Sequence, residues 1–312
     1  MPKMNNIYLL GSLLVMTIFL VVILFFGNSN DRISVDKNLF KVADQTKINR
    51  VILKKANEQI ELYFDGTRWM VNNSFEADRQ LIQVFFATLL QAEPRRPVAK
   101  RLRDSIHLQI SNAGVEVKLF EGETIMKNFM VIGNDRKTET YYELAGELAP
   151  YLVTIPGYRV YVAAIFELAA YEWRDKRIFN FNWQNFKRLD ASFPANEKEN
   201  FSISFQNSFF GLEGIPQADT TRLNDYLDAV SLVQAVRYLP LGESAVYDSV
   251  LTTSPYYSIE VTDIANRIYS IDIFNPLERD PAVLGKLHDG QAVLIGREDL
   301  IRLDRKRSHF VR

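Results

Sequence analysis

IELYFDGTRWMV (60–71) can be laid over FSISFQNSFFGL (201–212), 141 positions further along the chain. Both stretches alternate apolar and polar residues around a short polar turn, Asp65-Gly66 in the first and Gln206-Asn207 in the second. Ile60, Leu62 and Phe64 fall on Phe201, Ile203 and Phe205, and Trp69 falls on Phe210. Alternation of this kind on both sides of a turn predicts a half-buried β-hairpin. The same ungapped register sets ADRQLIQVFFATLLQA (77–92) on ADTTRLNDYLDAVSLV (218–233). Ile82, Phe85, Phe86 and Leu89 then meet Leu223, Tyr226, Leu227 and Val230. That spacing puts all four side chains on one helix face. Asp78 and Asp219 stand just before each helix, where a carboxylate caps free N–H groups and opposes the helix dipole.

Beyond the helices, VEVKLFEGETIMKNFMVIGN (115–134) corresponds to YYSIEVTDIANRIYSIDIFN (256–275), strand–turn–strand in both. The second copy is then expected to be shorter by about ten residues, with EWRDKRIF (172–179) and RLDRKRSHF (302–310) as the matching basic ends of the two units. A repeat this long is a duplicated domain and not a solenoid array. The expectation is an α+β chain: an N-terminal transmembrane helix, then two tandem copies of a β-rich unit built as hairpin, helix, meander and short helix. The boundaries fall at 1–27 for the anchor, 28–44 for a juxtamembrane linker, 45–183 for the first unit and 184–312 for the second.

The anchor rests on IYLLGSLLVMTIFLVVILFF, which runs from Ile7 to Phe26 without a charge. At ~1.5 Å per residue it reaches about 30 Å, the thickness of a hydrocarbon core. Its exit, Phe25-Phe26-Gly27-Asn28, is a poor cleavage site, so the helix is expected to stay. Lys3 and the free amino group favour an inside N-terminus, although Arg32, Lys37 and Lys41 on the far flank leave the bias slight. The bulk of the chain is then expected on the periplasmic or extracytoplasmic side of the inner (cytoplasmic) membrane.

Composition narrows the function. Hydrophobic residues make up 47% of the 312, enough to bury real cores, and the formal net charge of −1 gives no electrostatic footprint for nucleic acid. The chain has no cysteine, which removes disulfides, thiol catalysis, Cys-based metal sites and a lipidated cysteine. His107, His288 and His309 lie far apart, and His288-Asp289 reads as a solvated turn. Ser34-Val35-Asp36-Lys37 matches the S-x-x-K pattern formally but lacks its partner motifs. No Walker loop, G-x-G-x-x-G, nucleophile elbow or H-E-x-x-H occurs. The screen therefore predicts no catalytic residue, no cofactor and no metal. One basic run, PRRPVAKRLR (94–103), carries Arg95, Arg96, Lys100, Arg101 and Arg103, a candidate patch for an anion or a partner. The same residues read more simply as a solvated edge strand, where charge and proline block unwanted pairing. The clusters Arg174, Lys176, Arg177 and Arg305, Lys306, Arg307 read as cations facing the C-terminal ends of short helices. Trp69, Trp173 and Trp183 read as packing residues and not as ligand platforms.

Asp65-Gly66 with Trp69, Ala77-Asp78, Ile132-Gly133, Tyr141-Tyr142 and Arg174-Asp175-Lys176 stand in an order that resembles a bacterial family catalogued as a domain of unknown function. The resemblance covers most of 40–312. It implies a single-pass envelope protein with duplicated α+β units, of a kind sometimes encoded beside ABC transporters linked to gliding motility. One departure is SIHLQISNAG (105–114), which replaces the family's usual Gly-Leu stretch. The expected function is a membrane-anchored binding or scaffold protein of the cell envelope that engages an inner-membrane or envelope protein. The alternative is a ligand sensor or hydrolase with a site between the units.

Overall fold

The computed structural model describes residue 11, residues 13–18 and residues 35–311 apart from 57, 207, 208, 241 and 279. Most of the expected anchor, Ile7 to Phe26, and residues 28–34 of the linker after it therefore lie outside the described residues. Within the anchor, residues 11 and 13–18 are helical, and Leu13, Leu14, Val15, Met16 and Ile18 are exposed. Among the described residues no helix is long and apolar enough to cross a membrane.

The fold is α+β with two antiparallel sheets. The first is formed by β1 (Arg50–Lys55), β2 (Glu58–Phe64), β3 (Trp69–Val71), β4 (Phe75–Glu76), β5 (Glu93–Pro97), β6 (Val115–Glu121), β7 (Thr124–Gly133), β8 (Thr140–Leu144) and β9 (Tyr151–Thr154). Between them run helices α1 (Arg79–Gln91) and α2 (Lys100–Ala113). The second sheet is formed by β10 (Phe186–Ser192), β11 (Phe201–Gln206), β12 (Phe209–Leu212), β13 (Ala235–Leu239), β14 (Tyr257–Asp263), β15 (Ile268–Ile273), β16 (Ala282–Leu287) and β17 (Ala292–Gly296). Its helices are α3 (Thr220–Ser231), α4 (Ala245–Val250) and α5 (Arg297–Leu303). The strand orders are β4-β3-β2-β1-β6-β7-β8-β9-β5 and β12-β11-β10-β14-β15-β16-β17-β13. Ranked along the chain, the two orders are the same except that only the first sheet has the extra edge strand β4.

The 141-position register holds from the hairpins to β5: Leu62 pairs with Val71 as Ile203 pairs with Leu212, and Pro94 falls on Ala235. From β6 the offset is 142, since Val115 pairs with Val131 as Tyr257 pairs with Ile273, so the expected match of 115–134 to 256–275 is out by one residue. The turn at Asp65 is built by its own carboxylate, whose Oδ1 accepts the N–H groups of Thr67 and Arg68, while Gly66 takes φ +98°, a region open to glycine. Asp78 Oδ1 accepts from the N–H groups of Gln80 (2.8 Å) and Leu81 (3.1 Å), and Asp219 Oδ1 from those of Thr221 (3.1 Å) and Arg222 (3.2 Å). Both are N-caps, as expected.

The closing stretches differ from expectation. Asp78 N–H donates to the Trp173 carbonyl and Asp219 N–H to the Phe310 carbonyl, while Ala77 bridges Arg174 and Ala218 bridges Val311. Trp173-Arg174 is thus matched by Phe310-Val311, 137 positions on, so the second copy is four residues shorter at this point and not ten. Arg305, Lys306 and Arg307 precede that match, so the two basic clusters are not equivalent. A similar spelling, R-D-K-R and D-R-K-R, arose at different places in the two halves. Segment 94–103 also divides in a way the sequence did not suggest: Arg95 and Arg96 lie on edge strand β5, while Lys100, Arg101 and Arg103 open helix α2.

By Cα proximity the chain falls into two compact units. The first takes residues up to Ile48, Lys54–Asn57 and Phe86–Phe166. Its core includes Phe129 stacked on Tyr142 at 5.2 Å, with Phe40 and Phe166 edge-on to the Tyr142 ring. A Cβ at Gly133 would stand 1.5 Å from the Tyr161 hydroxyl, which explains why glycine closes β7. The second unit takes Asn49–Leu53, Glu58–Phe85 and Glu167–Arg312. In it Phe85 packs edge-on to Trp173 at 5.7 Å, and the matching pair Tyr226 and Phe310 sits at 5.4 Å. Leu223, Tyr226, Leu227 and Val230 are all buried, as the helix-face reading requires. On α1, Ile82, Phe85 and Leu89 are buried, while Phe86 is only half-buried.

Candidate functional site

Within the second compact unit, the β2–β3 hairpin and the start of α1 meet the segment 177–180 around a cleft of about 590 Å³. Phe64 and Trp69, ring centroids 5.7 Å apart, supply an aromatic wall. The charged lining comes from Arg68, Glu76, Arg79 and Arg177, with Thr67, Gln83 and Asn180 as neutral polar neighbours. The hairpin turn sets Arg68, strand β4 sets Glu76, and the first residue of α1 is Arg79. Arg177 follows the Arg174-Asp175-Lys176 stretch, whose backbone is pinned by Asp175 N–H to the Glu76 carbonyl and by Ala235 N–H to the Lys176 carbonyl.

Two of the three guanidiniums are already held. Glu76 Oε2 accepts from Arg68 Nη1 at 2.8 Å, and Glu76 Oε1 accepts from Arg177 Nη2 at 3.2 Å. Arg177 Nε donates to Asp175 Oδ2 at 2.7 Å and its Nη1 to Asn180 Oδ1 at 3.2 Å. The bond to Asp175, with Glu76 adding to it, raises the Arg177 guanidinium above its usual value. Arg79 is exposed and forms no ion pair or side-chain hydrogen bond among the described residues. A rigid pair of forks beside an uncompensated cation and an aromatic wall can hold an oxyanion attached to a flat ring.

The matched place in the second sheet is a groove of about 480 Å³ lined by β12, Gly214, Ile215, Pro216 and Thr220. Position for position, Arg68 becomes Phe209, Glu76 becomes Gln217 and Arg79 becomes Thr220. One backbone plan therefore carries a charged cleft in one place and an uncharged groove in the other. Beside the second groove, Trp183, Phe205 and Phe209 are 49%, 57% and 70% exposed. Trp183 and Phe205 both pack on Phe210, at 4.9 and 5.3 Å, and form one surface cluster at the free edge of the sheet, while Phe209, paired with Gln206, alternates to the other face.

The residues picked from sequence fare differently. Arg95, Arg96, Lys100 and Arg101 are exposed and Arg103 is partly buried; none forms an ion pair among the described residues. Arg174 does not face a helix end: it is 7% exposed, with its guanidinium over the Phe75 ring at 3.5 Å and the Tyr238 ring at 4.2 Å. It also reaches Gln291 Oε1 at 3.3 Å and Asp289 at 3.5 Å. Burial lowers its pKa, against the pull of Tyr238 and Asp289. Trp173 is core, Trp69 lines the cleft, and Trp183 is on the surface. His288 stands in an exposed turn. His107, on α2, pairs through Nδ1 with Glu143 Oε2 at 2.7 Å, a buried carboxylate 36 positions away whose Oε1 has no partner. Ser34 lies outside the described residues, and Lys37 is ion-paired with Glu93. Among the described residues no cluster of three or more metal-ligating side chains occurs.

The cleft was missed because its four charges come from positions spread over 68 to 177. The signal that could have found it was in the aligned halves: Arg68, Glu76 and Arg79 meet neutral residues at every matched position. No protein-family model, curated protein or solved structure matches the chain.

Proposed function

We propose that the chain is a membrane-anchored scaffold of the cell envelope, two copies of one α+β unit behind an N-terminal helix, that docks a protein partner. The observation that carries this reading is the pair Trp183 and Phe205, two large rings left largely in solvent where they pack on Phe210 at the open edge of the second sheet. Contiguous exposed aromatic surface of this kind is enriched at the cores of protein interfaces. The shared strand order of the two sheets supports duplication, and the uncharged run Ile7 to Phe26 supports anchoring. The family resemblance supports a periplasmic setting and a partner from an ABC-type transport or gliding-type machinery.

The test is affinity purification of the full-length chain from native membranes after mild crosslinking, beside the double variant Trp183→Ser, Phe205→Ser. A membrane protein recovered in stoichiometric amount with the wild type and lost from the variant is the expected result. Equal recovery with both chains, or a wild-type chain recovered alone, would overturn the reading.

A further inference from the structure

The matched grooves separate what the fold needs from what it does not. Hairpin, cap and helix form in the second sheet with Phe209, Gln217 and Thr220 where the first has Arg68, Glu76 and Arg79. The charges of the first cleft are therefore not required to build this supersecondary unit. Ion pairing explains three of them, since Arg68, Glu76 and Arg177 hold one another and tie the hairpin to the segment after Trp173. It does not explain Arg79, which is exposed, has no carboxylate partner among the described residues and lines the cleft.

We propose that this cleft is a binding site for a ring carboxylate, an acidic sugar or an aromatic acid. Charge decides for a carboxylate over a phosphate dianion. Arg68 and Arg177 are offset by Glu76, Asp175 and Asp65, which stands 3.6 Å from Arg68 Nε, so no surplus of positive charge is present for a dianion and Arg79 is the one guanidinium of the lining without a carboxylate partner among the described residues. One cation matches one negative charge. The remaining N–H groups of the two held guanidiniums are fixed in place, so they donate without a large loss of rotamer freedom. The Phe64 and Trp69 rings, tilted by 42° to each other, offer an apolar wall, and the face of either ring can stack on a pyranose or benzene face. The volume of about 590 Å³ falls in the usual range for small-ligand sites, roughly 300–1,000 Å³. The inference does not depend on the scaffold reading, because it uses neither the aromatic edge nor a protein partner.

The test uses the full-length chain in non-ionic micelles and reads the quenching of tryptophan fluorescence by 4-bromobenzoate. The bromine quenches an indole that it touches, and Trp69 is the one in the cleft. Saturable quenching is expected, relieved by benzoate more than by acetate and unaffected by neutral benzyl alcohol. Arg79→Gln should weaken binding by about tenfold or more, the factor expected for one lost charged hydrogen bond. Arg79 touches no partner, so the variant should keep the wild-type melting temperature. The double variant Arg95→Gln, Arg96→Gln should bind as wild type, which separates the cleft from the other exposed basic patch. Displacement by glucuronate would point to a sugar acid as the natural ligand, and failure of glucuronate with retention of Arg79-dependent benzoate binding to an aromatic acid. Quenching that does not saturate, or saturates equally in wild type and Arg79→Gln, would overturn the proposal.

Discussion

Leu227→Asp tests the packing of the second sheet. Leu227 is 1% exposed on the face of α3 that also carries Leu223, Tyr226 and Val230, all within one core cluster. Losing the leucine contacts costs about 2–5 kcal/mol. An unpartnered carboxylate in the same place adds several kcal/mol more. The sum is comparable with the roughly 5–15 kcal/mol that keeps a domain folded. The second sheet should therefore lose its protection. Hydrogen exchange of the full-length chain in micelles, read by mass spectrometry, should show β11, α3 and β14 exchanging fast at pH 7. The penalty should also depend on pH. Burial disfavours the charged form, so the introduced carboxyl has a raised pKa in the folded state. Its destabilisation grows as pH rises above the unfolded value of about 4 and is relieved below it. The relief amounts to about 1.4 kcal/mol for each pH unit separating the folded from the unfolded pKa. Partial recovery of protection near pH 4 is expected. In the first half, Phe85→Asp should do comparable damage, because Phe85 is buried against Trp173, while Phe86→Asp should do less, because Phe86 is half-buried. Wild-type protection in Leu227→Asp at pH 7 would refute the placement of α3 on its sheet.

Other substitutions probe single features. Asp78→Ala and Asp219→Ala each remove a cap with two hydrogen bonds and should each cost about 1 kcal/mol, read as a lowered urea midpoint. The Asp280 carboxyl is held below its usual value by the Ala282 N–H and then by the Tyr247 hydroxyl, so its contribution to stability is present above about pH 4 and is lost as pH falls through the lowered folded value. Tyr247→Phe should shrink that acid-side loss, measured as melting temperature against pH from 2 to 6. Gly133→Ala drives a methyl into the Tyr161 hydroxyl and should cost about 1–3 kcal/mol, with the double variant Gly133→Ala, Tyr161→Phe partly restored if the hydroxyl is the obstacle. Arg174→Met keeps the stem but loses the charge between two rings; it should cost less than Arg174→Ala in the same urea titration, since the stem's packing counts beside the cation–π contacts.

What the sequence revealed and what it hid follow from how far apart the determining residues lie. The hairpins and the α1 and α3 faces were legible because their signals are local and recur in one ungapped register. The caps at Asp78 and Asp219 were legible for the same reason. Helix α2 was hidden by prolines at 94 and 97 and a basic first turn, which suggested an edge strand, and Ile110 is its one fully buried side chain. The matching of EWRDKRIF to RLDRKRSHF was misled by a shared spelling, whereas the backbone pairs Trp173 with Phe310 as the equivalent positions. Arg174 was misread because its partners, Phe75, Tyr238, Asp289 and Gln291, are brought to it only by the fold. The cleft has the same character, except that comparison of the two halves already isolates Arg68, Glu76 and Arg79 as departures.

The divergence of two matched grooves is the claim on which most depends, and a crystal of the full-length chain grown with 4-bromobenzoate tests it most directly. Anomalous scattering locates bromine without reference to the protein. The expected result is one strong peak against Trp69 and Phe64, with carboxylate density within hydrogen-bond reach of Arg79, and no peak beside Phe209 and Thr220. A peak at Arg95 to Arg103, equal peaks in both grooves, or no peak in the first cleft would contradict it.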